Sequence, residues 1–118
     1  MKILILDDDQ TRHKFFNRKL IGHSVTNVET AADAIKHLSE DTFDAIFLDH
    51  DLGGEIFVNS FGPILNTGYA VAKWLSENPE KQPKQIFIHS LNPVGADNMK
   101  ALLPDAALVP GCWVGKNF

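Results

Sequence analysis

Four short stretches of the chain are predominantly apolar without regular alternation: Lys2–Leu6, Ala45–Leu48, Gln85–Ile88 and residues 106–109. Runs of this length, rich in Ile, Leu, Val and Phe, are the signature of strands buried on both faces of a parallel sheet. A weaker strand is predicted at Ser24–Val28, whose Val25 and Val28 suit a sheet edge. Between these runs the period changes to that of a helix. Phe16 and Leu20, with Phe15 nearby, form one stripe after Asp9. Ala31, Ala34, Ile35 and Leu38 follow the i, i+3, i+4, i+7 rule behind a capping-box-like Thr30 and Asp33. Gly68, Val71, Ala72 and Leu75 repeat that spacing until Asn78-Pro79 stops it. Met99, Leu102 and Leu103 make a fourth stripe, opened by Asn92-Pro93 and closed by Pro104.

The order βαβαβαβαβ implies a doubly wound α/β fold: a parallel five-stranded sheet with helices on both faces and right-handed crossovers. A flavodoxin-like, receiver-like strand order of 2-1-3-4-5 is expected. Residues 53–67 form a long connection where about 2–6 residues is usual. Residues 110–118 are too few and too Gly-rich for a last helix, so that helix is expected to be missing. The whole of 1–118 reads as a single domain, without internal repeats or linkers.

Composition narrows the function. With 118 residues, 44% hydrophobic, and a net charge of −4, the chain is an ordinary globular domain. Its only arginines are Arg12 and Arg18, which argues against an extended nucleic-acid surface. Cys112 stands alone, so neither an internal disulfide nor a CxxC centre is possible. The opening apolar run meets Asp7-Asp8-Asp9 too soon for a signal peptide, and no run is long enough for a membrane span. A cytoplasmic protein is expected.

The polar residues gather at strand ends. Asp7, Asp8 and Asp9 follow the first strand, Asp49, His50 and Asp51 the third, and His89 and Ser90 the fourth. Carboxyl ends of parallel strands are where ligands bind in open α/β sheets, above all where strand order reverses. Five carboxylates and two imidazoles would share one crevice there. Such crowding raises pKa values unless a cation sits among the acids, and a divalent metal is the simple remedy. Carboxylates alone suit Mg²⁺. A ligating His50 or His89 would shift preference toward Mn²⁺, Zn²⁺ or Fe²⁺. Against this stands a plainer reading, in which Asp8 or Asp9 caps the first helix and Asp51 starts a turn. Ser90 and Asn92 lead into a helix whose free N–H groups form a natural anion site, which suits a phosphate oxygen. His13, His23 and His37 lack clustered partners and are expected in solvent; Trp74 is expected to pack.

Over essentially its whole length to about residue 110, the chain resembles the receiver domain of two-component signalling. ILILDD (3–8) looks like the first strand with its metal-binding acid pair, FDAIFLD (43–49) like the strand ending in the phosphoacceptor, and Ser90 holds the switch position. The departures matter more. Strand five ends Leu108-Val109-Pro110-Gly111-Cys112, without the receiver lysine, and Lys116 comes too late to replace it. Receivers also lack counterparts of His50 and His89. With LDHDLGG (48–54), IHSLNPVGADNM (88–99) and VPGCW (109–113), the chain is similar to the cyclic-phosphate processing receiver domains, a divergent branch of prokaryotic and phage conflict systems.

That resemblance implies a metal-dependent phosphoesterase acting on the cyclic phosphate of a nucleotide, an oligonucleotide or an RNA end. The expected metal ligands are drawn from Asp7, Asp8, Asp49 and Asp51, with Asp49, His50 and His89 catalytic and Asp9 either completing the cluster or capping. Mg²⁺ or Mn²⁺ is the expected ion, with Zn²⁺ or Fe²⁺ as alternatives. The rival is a degenerate receiver phosphorylated on Asp49, or a nucleotide-sensing module without turnover. The expected partner is a nucleotide or cyclic oligonucleotide. Without a fifth helix, one face of strands four and five needs cover, from Trp113, Val114 and Phe118, from Ile56, Phe57, Val58 and Phe61, or across a homodimer.

Overall fold

The computed structural model describes residues 1–49, 51–59, 62–89 and 93–109, and the side chains of these outside 51–66. The chain runs β1 (Lys2–Leu6), α1 (Gln10–Lys19), β2 (Ser24–Val28), α2 (Ala31–Glu40) and β3 (Ala45–Leu48). It continues through β4 (Asp51–Asn59), β5 (Gly62–Thr67), α3 (Gly68–Glu77), a 3₁₀ turn (Pro79–Lys81), β6 (Gln85–Ile88), α4 (Pro93–Leu102) and β7 (Ala107–Leu108). The main sheet is ordered β2-β1-β3-β6-β7. All its pairings are parallel, the expected 2-1-3-4-5 order when its own strands are counted.

Both faces of this sheet are covered. Leu4, Leu6, Ile46, Leu48 and Ile88 pack with the buried stripes of α2, α3 and α4. Ile3, Ile5, Ala45 and Phe47 pack on the other side with Phe16 and Leu20 of α1. Successive strand residues thus face opposite layers, as pleated backbone requires, and this explains the unbroken apolar runs of β1 and β3. The helical stripes read from the sequence are buried except for Phe15, which is exposed, and Leu102, which is half-buried, and Trp74 packs against the larger core. Helix starts follow local chemistry. Thr30 accepts from the Asp33 N–H ahead of α2, and Thr67 accepts from the Ala70 N–H ahead of α3.

The connection expected over 53–67 is structured. It forms most of an antiparallel hairpin, β4 with β5, in which Asp51 lies opposite Thr67 and Asn59 opposite Gly62. Antiparallel pairing lets a long excursion satisfy its own backbone donors and acceptors, and the β-formers Ile56, Phe57, Val58 and Ile64 favour it. The fifth strand of the main sheet is shorter than the predicted 106–109: it is confined to Ala107–Leu108, with Ala106 N–H still bonded back to Leu103. Leu108 remains 47% exposed at that edge. The tail expected to cover it, with Cys112 and Trp113, lies outside the described residues.

Register sets the strand ends against one another. Leu6 pairs with Val28 and Leu48, and Leu48 with Ile88, so β1, β3 and β6 finish level.

Phe16 is fully buried, its ring centroid 5.1 Å from that of Phe47. Phe16→Ala is therefore expected to lower unfolding free energy by about 3–5 kcal/mol, read by urea denaturation. A loss below about 1 kcal/mol would contradict this packing.

Candidate functional site

Asp7, Asp49 and His89 each follow the last residue of β1, β3 and β6, and all three are buried. They continue the alternation of Ile5, Phe47 and Phe87, so their side chains fall on the α1 side of the sheet. Short backbone bonds extend the ladder through them: Asp7 N–H to Val28, Asp49 N–H to Leu6 and His89 N–H to Leu48. Below them, Phe16 meets the His89 ring edge-on at 5.1 Å, which gives the site an aromatic floor.

Asp7 is the most heavily engaged of the acids. Its Oδ1 accepts from the Asp9 N–H at 2.9 Å and from Arg12 Nη2 at 2.9 Å. Its Oδ2 accepts from Arg12 Nε at 2.6 Å and faces His89 Nε2 at 3.1 Å. Burial opposes ionisation of Asp7, but the hydrogen bonds from His89 and Arg12 outweigh it and hold the carboxyl well below the usual range. The bidentate contact with Asp7 likewise raises the Arg12 guanidinium above its ordinary value.

Asp49 is treated differently. Its Oδ2 lies 3.3 Å from Arg12 Nη2, a long contact for a charged pair. Burial pushes its carboxyl up to about 6, the charges of Asp7 and Asp8 add to that rise, and His89 and Arg12 oppose it. Asp8 is exposed and meets Arg12 only at 4.0 Å. Asp9 resolves toward the plainer expectation. It caps α1, accepting from the Thr11 and Arg12 N–H groups, with its other oxygen 3.6 Å from Arg12 Nη1.

Two residues were missed by sequence reasoning. Arg12 is the cation among the acids, where only a metal was anticipated; its i+3 and i+4 spacing from Asp9 and Asp8 was the available signal. His13 was expected in solvent and is buried. Its Nε2 bonds the Asp7 carbonyl at 2.5 Å and its Nδ1 the Asn27 side chain at 2.6 Å. It lies on the inner face of α1, three residues before Phe16, so the same stripe that buries Phe16 carries it inward.

Ligand oxygens of Asp7, Asp8 and Asp49 lie within 4.8 Å of one another, a hard oxygen set that fits Mg²⁺ or Mn²⁺. The fit is conditional on Arg12, because Asp7 has both oxygens occupied. The Asp51 backbone begins β4 opposite Thr67. The Asp51 side chain, His50, Ser90 and Asn92 lie outside what is described.

Residues 2–105 match the family described as the cyclic-phosphate processing receiver domain. No curated protein matches the sequence. Among solved structures, the chain is similar to the response regulatory domain of mrkE from Klebsiella pneumoniae, at 17% identity and TM-score 0.73, covering 98% of this chain and 86% of that one. It is also similar to the response regulator TrrA from Thermotoga maritima in complex with Mg²⁺–BeF, at 18% identity and TM-score 0.69, covering 92% and 87%. A response regulator from Burkholderia pseudomallei with a phosphorylated aspartic acid, calcium ion and citrate aligns at 19% identity and TM-score 0.66, covering 90% of this chain and 57% of that one. At these identities the likeness shows the receiver fold alone.

Asp49 yields a pH prediction. The native state keeps the Asp49 proton up to about pH 6, whereas an unfolded chain releases it near about 4. The native state binds the extra proton in that window, so this contribution to stability is lost as pH rises through it. Asp49→Asn should therefore be more stable than the parent by roughly 1–3 kcal/mol above pH 6 in chelator, and this advantage should vanish toward pH 4. Urea midpoints across that range check it; a gap that does not change with pH would refute it.

Proposed function

The chain belongs to the family of cyclic-phosphate processing receiver domains, and on that premise we propose that it is a metal-dependent phosphoesterase that opens the cyclic phosphate of a nucleotide, an oligonucleotide or an RNA end. The observation that carries this reading is the meeting of Asp7, Asp8 and Asp49 beside a buried His89 at one sheet edge. Acids at such spacing invite a hard cation. When bound there, a divalent ion supplies Lewis-acid polarisation of a phosphoryl oxygen and an acidified water.

Asp8 and Asp49 have oxygens to offer such an ion, and Asp7 offers its own only where the Arg12 contacts give way, while it holds the Asp9 N–H and His89. The ribose oxygen leaving phosphorus needs a proton, and His89 is the proposed donor. Asp7 fixes one ring nitrogen, Nε2, and would balance the charge of an imidazolium. The other, Nδ1, is buried without a hydrogen-bond partner among the described residues. A nitrogen left open in a ring oriented by a carboxylate is suited to proton exchange with a reacting group. The phosphate itself is assigned to Ser90, Asn92 and the start of α4, and His50 is the second candidate for proton transfer.

Two observations favour a second reading, a nucleotide-sensing module without turnover. His89 is only 1% exposed, and Arg12 already neutralises much of the acid cluster, so the same residues can hold a ligand without chemistry.

A screen of 2′,3′- and 3′,5′-cyclic nucleotides and cyclic oligonucleotides with Mg²⁺, Mn²⁺ and Zn²⁺ separates the two. Turnover is expected, with His89→Ala slower by about 10²–10⁴-fold at nearly unchanged metal affinity and Asp49→Asn impaired in metal binding. Calorimetric binding of a cyclic nucleotide without product would favour the sensor. Full activity and full metal affinity in His89→Ala would make His89 structural.

A further inference from the structure

We propose that Arg12 is the resident cation of this acid cluster, and that a divalent ion enters by displacing its guanidinium from Asp7 rather than by filling an open position. Asp7 has no acceptor to spare. A carboxylate offers about four lone-pair sites, and Asp7 uses them on the Asp9 N–H, two Arg12 donors and His89 Nε2. No oxygen of Asp7 is left for an ion while those contacts stand.

Geometry points the same way. The Arg12 guanidinium reaches Asp7 at 2.6 Å, Asp49 at 3.3 Å and Asp8 at 4.0 Å, all three of the residues whose ligand atoms cluster within 4.8 Å, and Asp9 at 3.6 Å besides. An Mg²⁺ ion needs its oxygens at about 2.1 Å. A set of carboxylates this tight cannot close on an ion and keep the guanidinium at hydrogen-bond distance.

Release of Arg12 is structurally cheap. Its side chain is 30% exposed, so a path to solvent exists. The α1 cap rests on backbone N–H bonds to Asp9 Oδ1, while the Arg12 side chain meets only the other Asp9 oxygen at 3.6 Å, so the side chain can leave without unwinding the helix. Asp7 then still holds the Asp9 N–H and His89, and it presents to the ion the oxygen positions that Arg12 vacated. Metal entry by this route is independent of whether the protein turns over a cyclic phosphate.

The test uses the whole chain and needs no substrate. Arg12 and exposed Arg18 are the two arginines, so side-chain Nε–H signals in ¹⁵N-labelled wild-type protein are few and assignable. In chelator the Arg12 signal should be shifted and slow to exchange. On titration with Mg²⁺ it should lose that protection in step with occupancy, while Arg18 stays unchanged. In parallel, Arg12→Gln should bind Mn²⁺ roughly tenfold or more tightly than wild type by calorimetry, with Arg12→Lys between them. Binding by Arg12→Gln alone makes Arg12 a block rather than an exchangeable cation and overturns the exchange. An Arg12 signal unmoved at saturating Mg²⁺ overturns it, as does an Arg12→Gln affinity no higher than wild type, or no binding by either protein. If Arg12→Gln fails to fold, the wild-type titration decides.

Discussion

A carboxylate removed from water must be given partners, and Asp7 is given four. They come from the turn after β1, from the first turn of α1 and from the end of β6, so one buried charge ties the β1–α1 junction to a strand end far along the chain. His13 adds a hold on the Asp7 carbonyl, which fixes main chain and side chain together. Asp49, beside it, receives one long contact from the same arginine, so its burial, and after that the charge of Asp7, keeps its carboxyl raised. Two neighbouring aspartates with opposite shifts are the result of supplying one of them first.

The main sheet was legible because its central strands, β1 and β3, are buried on both faces. Lys2–Leu6, Ala45–Leu48 and Gln85–Ile88 emerge with the limits the apolar runs suggest, since short unbroken apolar runs suit covered parallel strands. The helical stripes were equally plain, being periodic and capped. The hairpin of β4 and β5 was not, because a βα connection in this fold is expected to be a loop and the excess length masked its strand-forming residues. At the site, the gathering of Asp7, Asp8, Asp49 and His89 follows from strand ends alone. What stayed hidden were Arg12 and His13. Both sit on α1 and meet β1 only once the helix folds back, and composition counts an arginine without saying where it points. Asp9 could have been ligand or cap, and geometry settled it as a cap.

Among the described residues no lysine stands at the end of strand five, where receivers place one, and positive charge instead arrives from α1. The two are not equivalent. Lysine is a mobile point charge, whereas arginine presents a planar fork that fits a carboxylate in two places. A fork committed to Asp7 stabilises the metal-free acid cluster and leaves Asp49 comparatively open, an arrangement suited to holding the site ready rather than to shielding an acyl phosphate.

The level ends of β1, β3 and β6 carry a further consequence, which concerns how such a chain can vary in length. Asp7, Asp49 and His89 share a face because each lies an even number of residues beyond the α1-facing residues of its strand. One residue gained or lost within β3 would turn Asp49 toward α2, α3 and α4, and Phe47 with it. Strand length is therefore locked by parity. The hairpin is under no such rule, because Asp51 and Thr67 lie opposite each other at its base, so residues can be added or removed in pairs beyond them while α3 starts in the same place. Variation in length among relatives should accumulate there and spare the strands that carry the acids.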